Sequence, residues 1–304
     1  MPHDHARHGH THHHTDPEAG DRRVALAIAV NLGLTLAQIV AGILSGSLAM
    51  IADAVHNLSD ALSLVIAFAA RRIARRPSDA RMTFGYGRAE MVAALVNYTT
   101  LAVIALWLIW EGIARLLDPQ PVTGWIIVVV AGVALAVDLV TALLTYRMSK
   151  SSANIRAAFL HNLADALGSV GVIVAGTLIL LFDWTVADPI ITLAIAGYIL
   201  WHVWAGSPRV VRMLMLGAPP GLDAEAVLAA MDGVDGIEDV HHLHLWEMQE
   251  GVPALDAHVV TAEDPAAVRA RLATMLKDRF GVAHTTLEME RAGECPPGTA
   301  VIGH

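Results

Sequence analysis

Apolar residues dominate the first two thirds of this chain, in six stretches near 24–43, 47–70, 91–115, 124–146, 157–182 and 186–206. About twenty helical residues cross the roughly 30 Å hydrocarbon layer of a bilayer, so each stretch predicts a membrane-spanning helix. Leu44-Ser45-Gly46-Ser47 joins the first two as a tight helical hairpin. Asp118-Pro119-Gln120-Pro121 separates the third and fourth, and Phe182-Asp183-Trp184 opens the link between the fifth and sixth. From Pro208 the pattern becomes that of a soluble domain. Residues 223–231 read as a helix with Asp223 as its N-cap. Residues 237–247 and 254–260 alternate as strands, 264–279 read as a second helix and 286–290 as a last strand. The order αββαβ predicts a small open sheet with helices on one face. The fold class is therefore an all-α membrane domain of six spans over 21–207 followed by a small α+β domain over 208–292. Tails of 1–20 and 293–304 flank them.

Composition supports a membrane protein. Of 304 residues only 16% are charged and 55% are hydrophobic, with mean hydropathy +0.52, whereas a soluble chain of this length carries more charge. The basic residues fix the orientation. The loop after the second span holds Arg71, Arg72, Arg75, Arg76, Arg81 and Arg88, and the one after the fourth holds Arg147, Lys150 and Arg156. Arg209 and Arg212 follow the sixth, while the opposite loops hold none beyond Arg115 at the end of the third span. Both termini are expected in the cytoplasm, with the spans in a bacterial inner membrane. The net charge of −9 says little about partners, because the acidic residues gather in the C-terminal part; nothing points to nucleic acid. A single cysteine, Cys295, excludes an intrachain disulfide framework and a four-cysteine zinc site. No signal peptide is visible.

The chemistry lies in a repeated phrase. HNLxDAL occurs as His56-Asn57-Leu58-Ser59-Asp60-Ala61-Leu62 and as His161-Asn162-Leu163-Ala164-Asp165-Ala166-Leu167. Positions i and i+4 of a helix share a face, so each copy offers one imidazole and one carboxylate to the same point. Ionisable groups inside apolar spans are costly unless compensated. Two such helices facing one another would supply His56, Asp60, His161 and Asp165, a tetrahedral set for Zn²⁺. Imidazole favours zinc, cobalt or nickel over manganese or magnesium. The second and fifth spans run antiparallel, so a shared site near the midplane is geometrically possible.

These residues, with Thr83-Phe84-Gly85-Tyr86-Gly87-Arg88-Ala89-Glu90 ahead of the third span and a His-rich tail, resemble the cation diffusion facilitator transporters, and in the paired His/Asp signature their zinc-transporting branch. The likeness runs from about Asp21 to Glu290. It implies proton-coupled Zn²⁺ efflux by a homodimer in the lipid bilayer, with a ferredoxin-like cytosolic domain and the quartet as transport site. It also implies zinc binding near the dimer interface by residues of the soluble domain. His244, His258 and Glu290 match best, and His284 less well, since a neighbouring position often His in the family is Ala283 here. By strand alternation His242 and His244 share one face while His241 points the other way; exposed polar residues on a sheet are the competing account. Cys295 stands where the family sometimes has a metal-binding cysteine.

Other polar groups are less specific. Asp53, three residues before His56, suits a supporting or proton-accepting role, or simply a helix end. Asp138, mid-span among Val and Leu, suits a proton relay or a buried hydrogen bond to Thr141, Asn97 or Asn31. Gln38 reads as a helix-joining hydrogen bonder. Seven histidines among the first fifteen residues suit capture of metal by a segment with no core.

Zinc needs neutral imidazole and ionised carboxylate, so metal and protons compete for one site. Loading from the cytoplasm and proton-driven release outside follow. A membrane zinc enzyme is disfavoured, because catalytic zinc keeps an open position and neither HExxH nor a Ser or Cys nucleophile motif occurs. A passive channel would lack proton dependence, and a sensor would leave the buried quartet without a purpose.

Overall fold

The computed structural model describes residues 32–149, 153–294 and 300–303, excepting the side chains of residues 64, 144–149 and 153–162. The His-rich tail, the start of the first predicted span, Asn31 and Cys295 lie outside the described residues. Helix α1 (Leu32–Ser45) is apolar but short as described, and five further helices are long and apolar enough to cross a membrane. These are α2 (Leu48–Ala74), α3 (Ala89–Leu117), α4 (Gly124–Ser149), α5 (Ala153–Phe182) and α6 (Ala187–Leu214). They make a helical membrane domain, which a small α+β domain follows. By compactness the chain divides into two units: residues up to Ala61 with Leu108–Ile195, and Leu62–Trp107 with Ala196–His304.

In the first unit the α1–α2 hairpin turns at Gly46, whose φ of 75° suits glycine. The Ser47 N–H donates to the Gly42 carbonyl at 3.0 Å, and the Ser47 hydroxyl accepts the Met50 N–H at 3.1 Å as an N-cap. Arg115 donates to the Gly46 carbonyl at 2.6 Å, and the Thr123 N–H to that of Ser45 at 2.8 Å. Helices α4 and α5 approach closely through glycine: a Cβ on Gly124 would stand 2.6 Å from the Gly176 carbonyl, and one on Gly176 2.7 Å from Ile127. Small side chains allow such approach in membranes. Ala41, Ala49, Met50, Ile127, Ala131, Val172 and Ile179 form the buried cluster of this unit.

Helix α6 continues through Pro208 to Leu214, eight residues beyond the expected end of its span. Proline removes one intrahelical hydrogen bond, but helices survive that loss where neighbours accommodate it.

The soluble domain has the expected order: α7 (Ala224–Asp232), β1 (Asp239–Gln249), β2 (Val252–Val260), α8 (Pro265–Phe280) and β3 (His284–Glu290). Asp223 and Asp264 cap the two helices, accepting the N–H groups of Glu225 and Ala267. β1 and β2 pair antiparallel, β2 and β3 parallel, in the order β1-β2-β3. Val227, Met231, Leu243, Leu255, Val259, Val268, Leu272 and Leu276 fill the core between helices and sheet. The C-terminal residues add what the sequence pattern did not suggest. Ile302 bridges Leu243, with the His242 and Leu243 N–H groups donating to the Ala300 and Val301 carbonyls at 3.0 and 3.1 Å.

Candidate metal centres

Helical spacing brings the first HNLxDAL copy to one point. His56 and Asp60 lie a turn apart on α2, and His56 Nε2 stands 3.6 Å from Asp60 Oδ2. The same nitrogen stands 3.6 Å from Asp165 Oδ1 on α5. One imidazole thus faces two carboxylates from two helices. The His56 and Asp165 side chains are only 10% exposed. Bonds of about 2.0–2.1 Å to a tetrahedral Zn²⁺ set ligand atoms roughly 3.4 Å apart, so this spacing suits that ion. His161 lies one turn before Asp165 on the same helix; its side chain falls outside the described residues.

Polar groups surround this point. Asp53, a turn before His56 and buried, accepts a hydrogen bond from Gln38 Nε2 of α1 at 2.9 Å. Gly168 leaves room for it: a Cβ there would meet Asp53 Oδ1 at 2.9 Å. Asp138 of α4 accepts from the Ser169 hydroxyl of α5 at 3.4 Å, a partner absent from those expected. Thr141 instead donates to the Val137 carbonyl at 2.9 Å.

In the soluble domain the geometry departs from strand alternation. His241 pairs with His258 and His244 with Asp256, so β1 spends one residue more than β2 between these pairs. This β-bulge places His242 at φ 54°, the left-handed region that non-glycine residues seldom enter. The extra residue returns His241 to the face that carries His244 and His258. The expectation that His241 points away is corrected on that ground. The His242 ring lies 4.9 Å from that of His244 and 4.8 Å from that of His258, and those of His241 and His258 are 5.4 Å apart.

The side chains that converge differ accordingly from those the sequence pattern brings together. His241, His258 and Glu290 present donor atoms within 4.8 Å of one another. His258 Nδ1 is 2.6 Å from Glu290 Oε1, and His241 Nε2 is 3.3 Å from Glu290 Oε2. Those last two atoms are buried without a hydrogen-bond partner among the described residues, a costly state for polar atoms that a cation between them would relieve. Asp239 Oδ2, 3.0 Å from His241 Nδ1, holds the ring by its other nitrogen, as carboxylates do behind metal-binding histidines. His244 Nδ1 faces Asp256 Oδ1 at 2.9 Å. His284 opens β3 and Glu290 ends it. Six residues at about 3.3 Å each put them roughly 20 Å apart along the strand, so His284 is not brought to the cluster.

The loop before α3 is self-stapled. Asp79 accepts the Tyr86 hydroxyl at 2.8 Å and the N–H groups of Arg81 and Met82 at 2.8 and 2.9 Å. These bonds, the tyrosine's above all, hold the Asp79 carboxyl below the usual carboxylate range, and the same carboxylate pushes the Tyr86 phenol up. Arg88, at the end of this loop, donates to the Glu247 and Met248 carbonyls at 2.9 and 3.2 Å. In the soluble domain, burial and then nearby Asp239 raise Asp232.

Comparison with known proteins covers nearly the whole chain. The family model of the cation efflux transmembrane domain matches residues 24–215, and that of the cation efflux protein cytoplasmic domain matches 219–292. Zinc transporter ZitB of Pectobacterium atrosepticum is 38% identical over 92% of this chain and 88% of its own length. The protein of that name in Escherichia coli K12 is 36% identical over 98% and 97%. A cadmium, cobalt and zinc/H⁺-K⁺ antiporter of Bacillus velezensis is 33% identical over 93% and 92%.

Proposed function

Because this chain belongs to the cation efflux, or cation diffusion facilitator, family of membrane metal transporters, we propose that it carries Zn²⁺ out of the cytoplasm in exchange for protons. The observation that carries this reading is His56 held 3.6 Å from both Asp60 and Asp165 inside apolar helices. At this point zinc is the cargo. His161 completes the quartet from its place one turn before Asp165. Relatives named for zinc transport, and one named for cadmium and cobalt as well, support zinc as the main substrate with those two ions as alternatives.

The donor set explains both capture and release. Metal binds neutral imidazole and ionised carboxylate, so each proton taken up weakens the site. Imidazole ordinarily titrates near neutrality, which allows loading from the cytoplasm and unloading into a more acidic exterior. Asp53 and Asp138, held by Gln38 and Ser169 on neighbouring helices, are suited to pass protons to this point. One proton per Zn²⁺ would move a net charge of +1 outward against about 2.3 kcal/mol per 100 mV; two protons would make the cycle electroneutral. Alternating access by rocking helix groups exposes the site to each side in turn.

The soluble domain gives a second, resident zinc site of His241, His258 and Glu290, in a chain that works as a homodimer. The arginines and lysine of the loops support a topology with both termini in the cytoplasm of a bacterial cell and the spans in its inner membrane.

Zinc uptake into inside-out proteoliposomes, with and without an imposed pH gradient, tests the main reading. Uptake driven by an acidic lumen and lost in Asp165→Ala is expected. Downhill flux indifferent to pH would overturn antiport, and full activity in Asp165→Ala would overturn the site.

A further inference from the structure

Two carboxylates of the membrane domain share one hydroxyl outside the metal-facing quartet. Ser169 of α5 is fully buried and donates to Asp138 Oδ2 of α4 at 3.4 Å. The same side chain is a hydrogen-bond partner of Asp53 on α2. Asp53 is 3% exposed. Its Oδ2 accepts from Gln38 Nε2 of α1 at 2.9 Å, and its Oδ1 lies against Gly168, the residue before Ser169. All of these residues belong to the unit of residues up to Ala61 with Leu108–Ile195.

The hydrogens do not suffice for these groups. A serine hydroxyl has one to donate, and an ionised carboxylate has none. Asp53 and Asp138 therefore cannot both be served while both are ionised, and two negative charges around one hydroxyl inside apolar helices repel one another. The groups that act electrostatically on Asp53, Asp138 of α4 and Asp165 of α5, are both acidic. Gln38 is fully buried too, and its Oε1 has no hydrogen-bond partner among the described residues. The cluster is short of a donor, and a single proton supplies it. Carried by Asp53, that proton is donated to Ser169 Oγ while the Ser169 hydroxyl donates to Asp138; a turn of the hydroxyl hands it to the other carboxylate. Gln38 suits either state, because its amide turned end for end offers Oε1 to a protonated Asp53 in place of an N–H.

We propose that Asp53 and Asp138 hold one proton between them through Ser169, and that this proton is one of those exchanged for Zn²⁺. This carrier presupposes the antiport reading and lies apart from the metal ligands, with Ser169 as its positioning residue. Zinc at His56, Asp60 and Asp165 adds positive charge near Asp53, so the pair gives up its proton; a proton on the pair in turn opposes zinc. Coupling of this kind runs through charge, not through competition for a ligand atom.

Zinc and proton fluxes measured together in proteoliposomes of the full chain, with a zinc dye and a pH dye in the lumen, count the protons moved per Zn²⁺. Asp53→Asn is expected to lower the count by one, and Asp53→Asn/Asp138→Asn by the same one. A double variant that loses two makes the carboxylates independent carriers and overturns the proposal. A coupled wild type beside an unchanged Asp53→Asn overturns the proposal alone, whereas wild-type flux indifferent to pH removes the antiport reading and the proposal with it. Infrared difference spectra of the reconstituted protein decide the matter even where a variant carries no zinc. A protonated-carboxyl C=O band is expected without zinc, lost when zinc binds and absent from Asp53→Asn; no such band overturns the proposal. As the pH rises, the band should vanish about one unit lower in Ser169→Ala, where the protonated pair loses two hydrogen bonds and the ionised pair one. It should also vanish at lower pH in Asp138→Asn, which removes the like charge, while Ser169→Thr, which keeps the hydroxyl, should restore the wild-type midpoint. A band indifferent to both Ser169 and Asp138 would leave the proton to Asp53 alone and overturn the sharing.

Discussion

The Asp188 carboxylate caps a helix to which it does not belong. From the first turn of α6 its Oδ2 accepts the Leu48 N–H, at the start of α2, at 2.7 Å, and Oδ1 accepts the Ser47 hydroxyl. An anion at a helix N-terminus meets both free N–H groups and the positive end of the helix dipole. His56 and Asp60 ride two to three turns further along α2, so this cap fixes the end of the helix that presents them. Asp188→Ala should lower the melting temperature of the purified protein, with a loss of about 1–3 kcal/mol for N–H groups left buried without an acceptor. Asp188→Asn, which keeps one acceptor, should recover part of it. Unchanged melting in Asp188→Ala would dismiss the cap.

On the proposed function, the imidazole of His56 is the group that sets the metal preference. His56→Asp gives the site a third carboxylate among the described donors, a harder set that favours manganese or magnesium more than the native one does. Competition flux in proteoliposomes should show zinc losing at least tenfold in its advantage over Mn²⁺. An unaltered ratio would show that the filter lies elsewhere.

At the soluble sheet two histidines separate the structural assignment from strand alternation. His241→Ala should weaken zinc binding by the full chain at its non-transport site by about 10–100-fold. His284→Ala, at the far end of β3, should leave it unchanged. Isothermal titration in an Asp60→Ala/Asp165→Ala background that also lacks residues 1–15 isolates that site, and a reversed outcome would return the ligand set to His284.

Acid should open the loop ahead of α3. The Asp79 carboxyl is held below its ordinary range, so its contribution to loop order is complete above that range and is lost as the pH falls through the depressed value. At neutral pH the loop is closed, and trypsin should cut after Arg81 slowly. Asp79→Asn, which lacks the charge at every pH, should be cut several-fold faster at pH 7.5. Equal rates would show that the staple does not order the loop.

What could be read from the sequence follows the range of the interactions. Helices and strands show because periodicity is local: the αββαβ order and the Asp223 cap stand where the pattern put them. His56 and Asp60 meet because four residues make one turn, and the repeat of that spacing brought Asp165 into view. The Asp188 cap was not visible, since its partners are 140 residues away and an acidic residue opening a helix reads as serving its own. His241 was misplaced because alternation assumes an unbroken pleat, and nothing in His241-His242-Leu243-His244 announces an added residue. The extension of α6 through Pro208 was hidden for the opposite reason, a local stop signal outweighed by its surroundings.

The bridge between Leu243 and Ile302 has a practical side. It ties residues 300–303 to the strand that bears His241 and His244, so anything fused after residue 304 starts close to the face proposed to hold a resident metal. A polyhistidine purification handle at that end would put a second chelator within reach of His241 and Glu290. Metal counts and affinities taken on such a fusion would mix the two. A removable handle, or one without imidazoles, leaves the count to the protein itself.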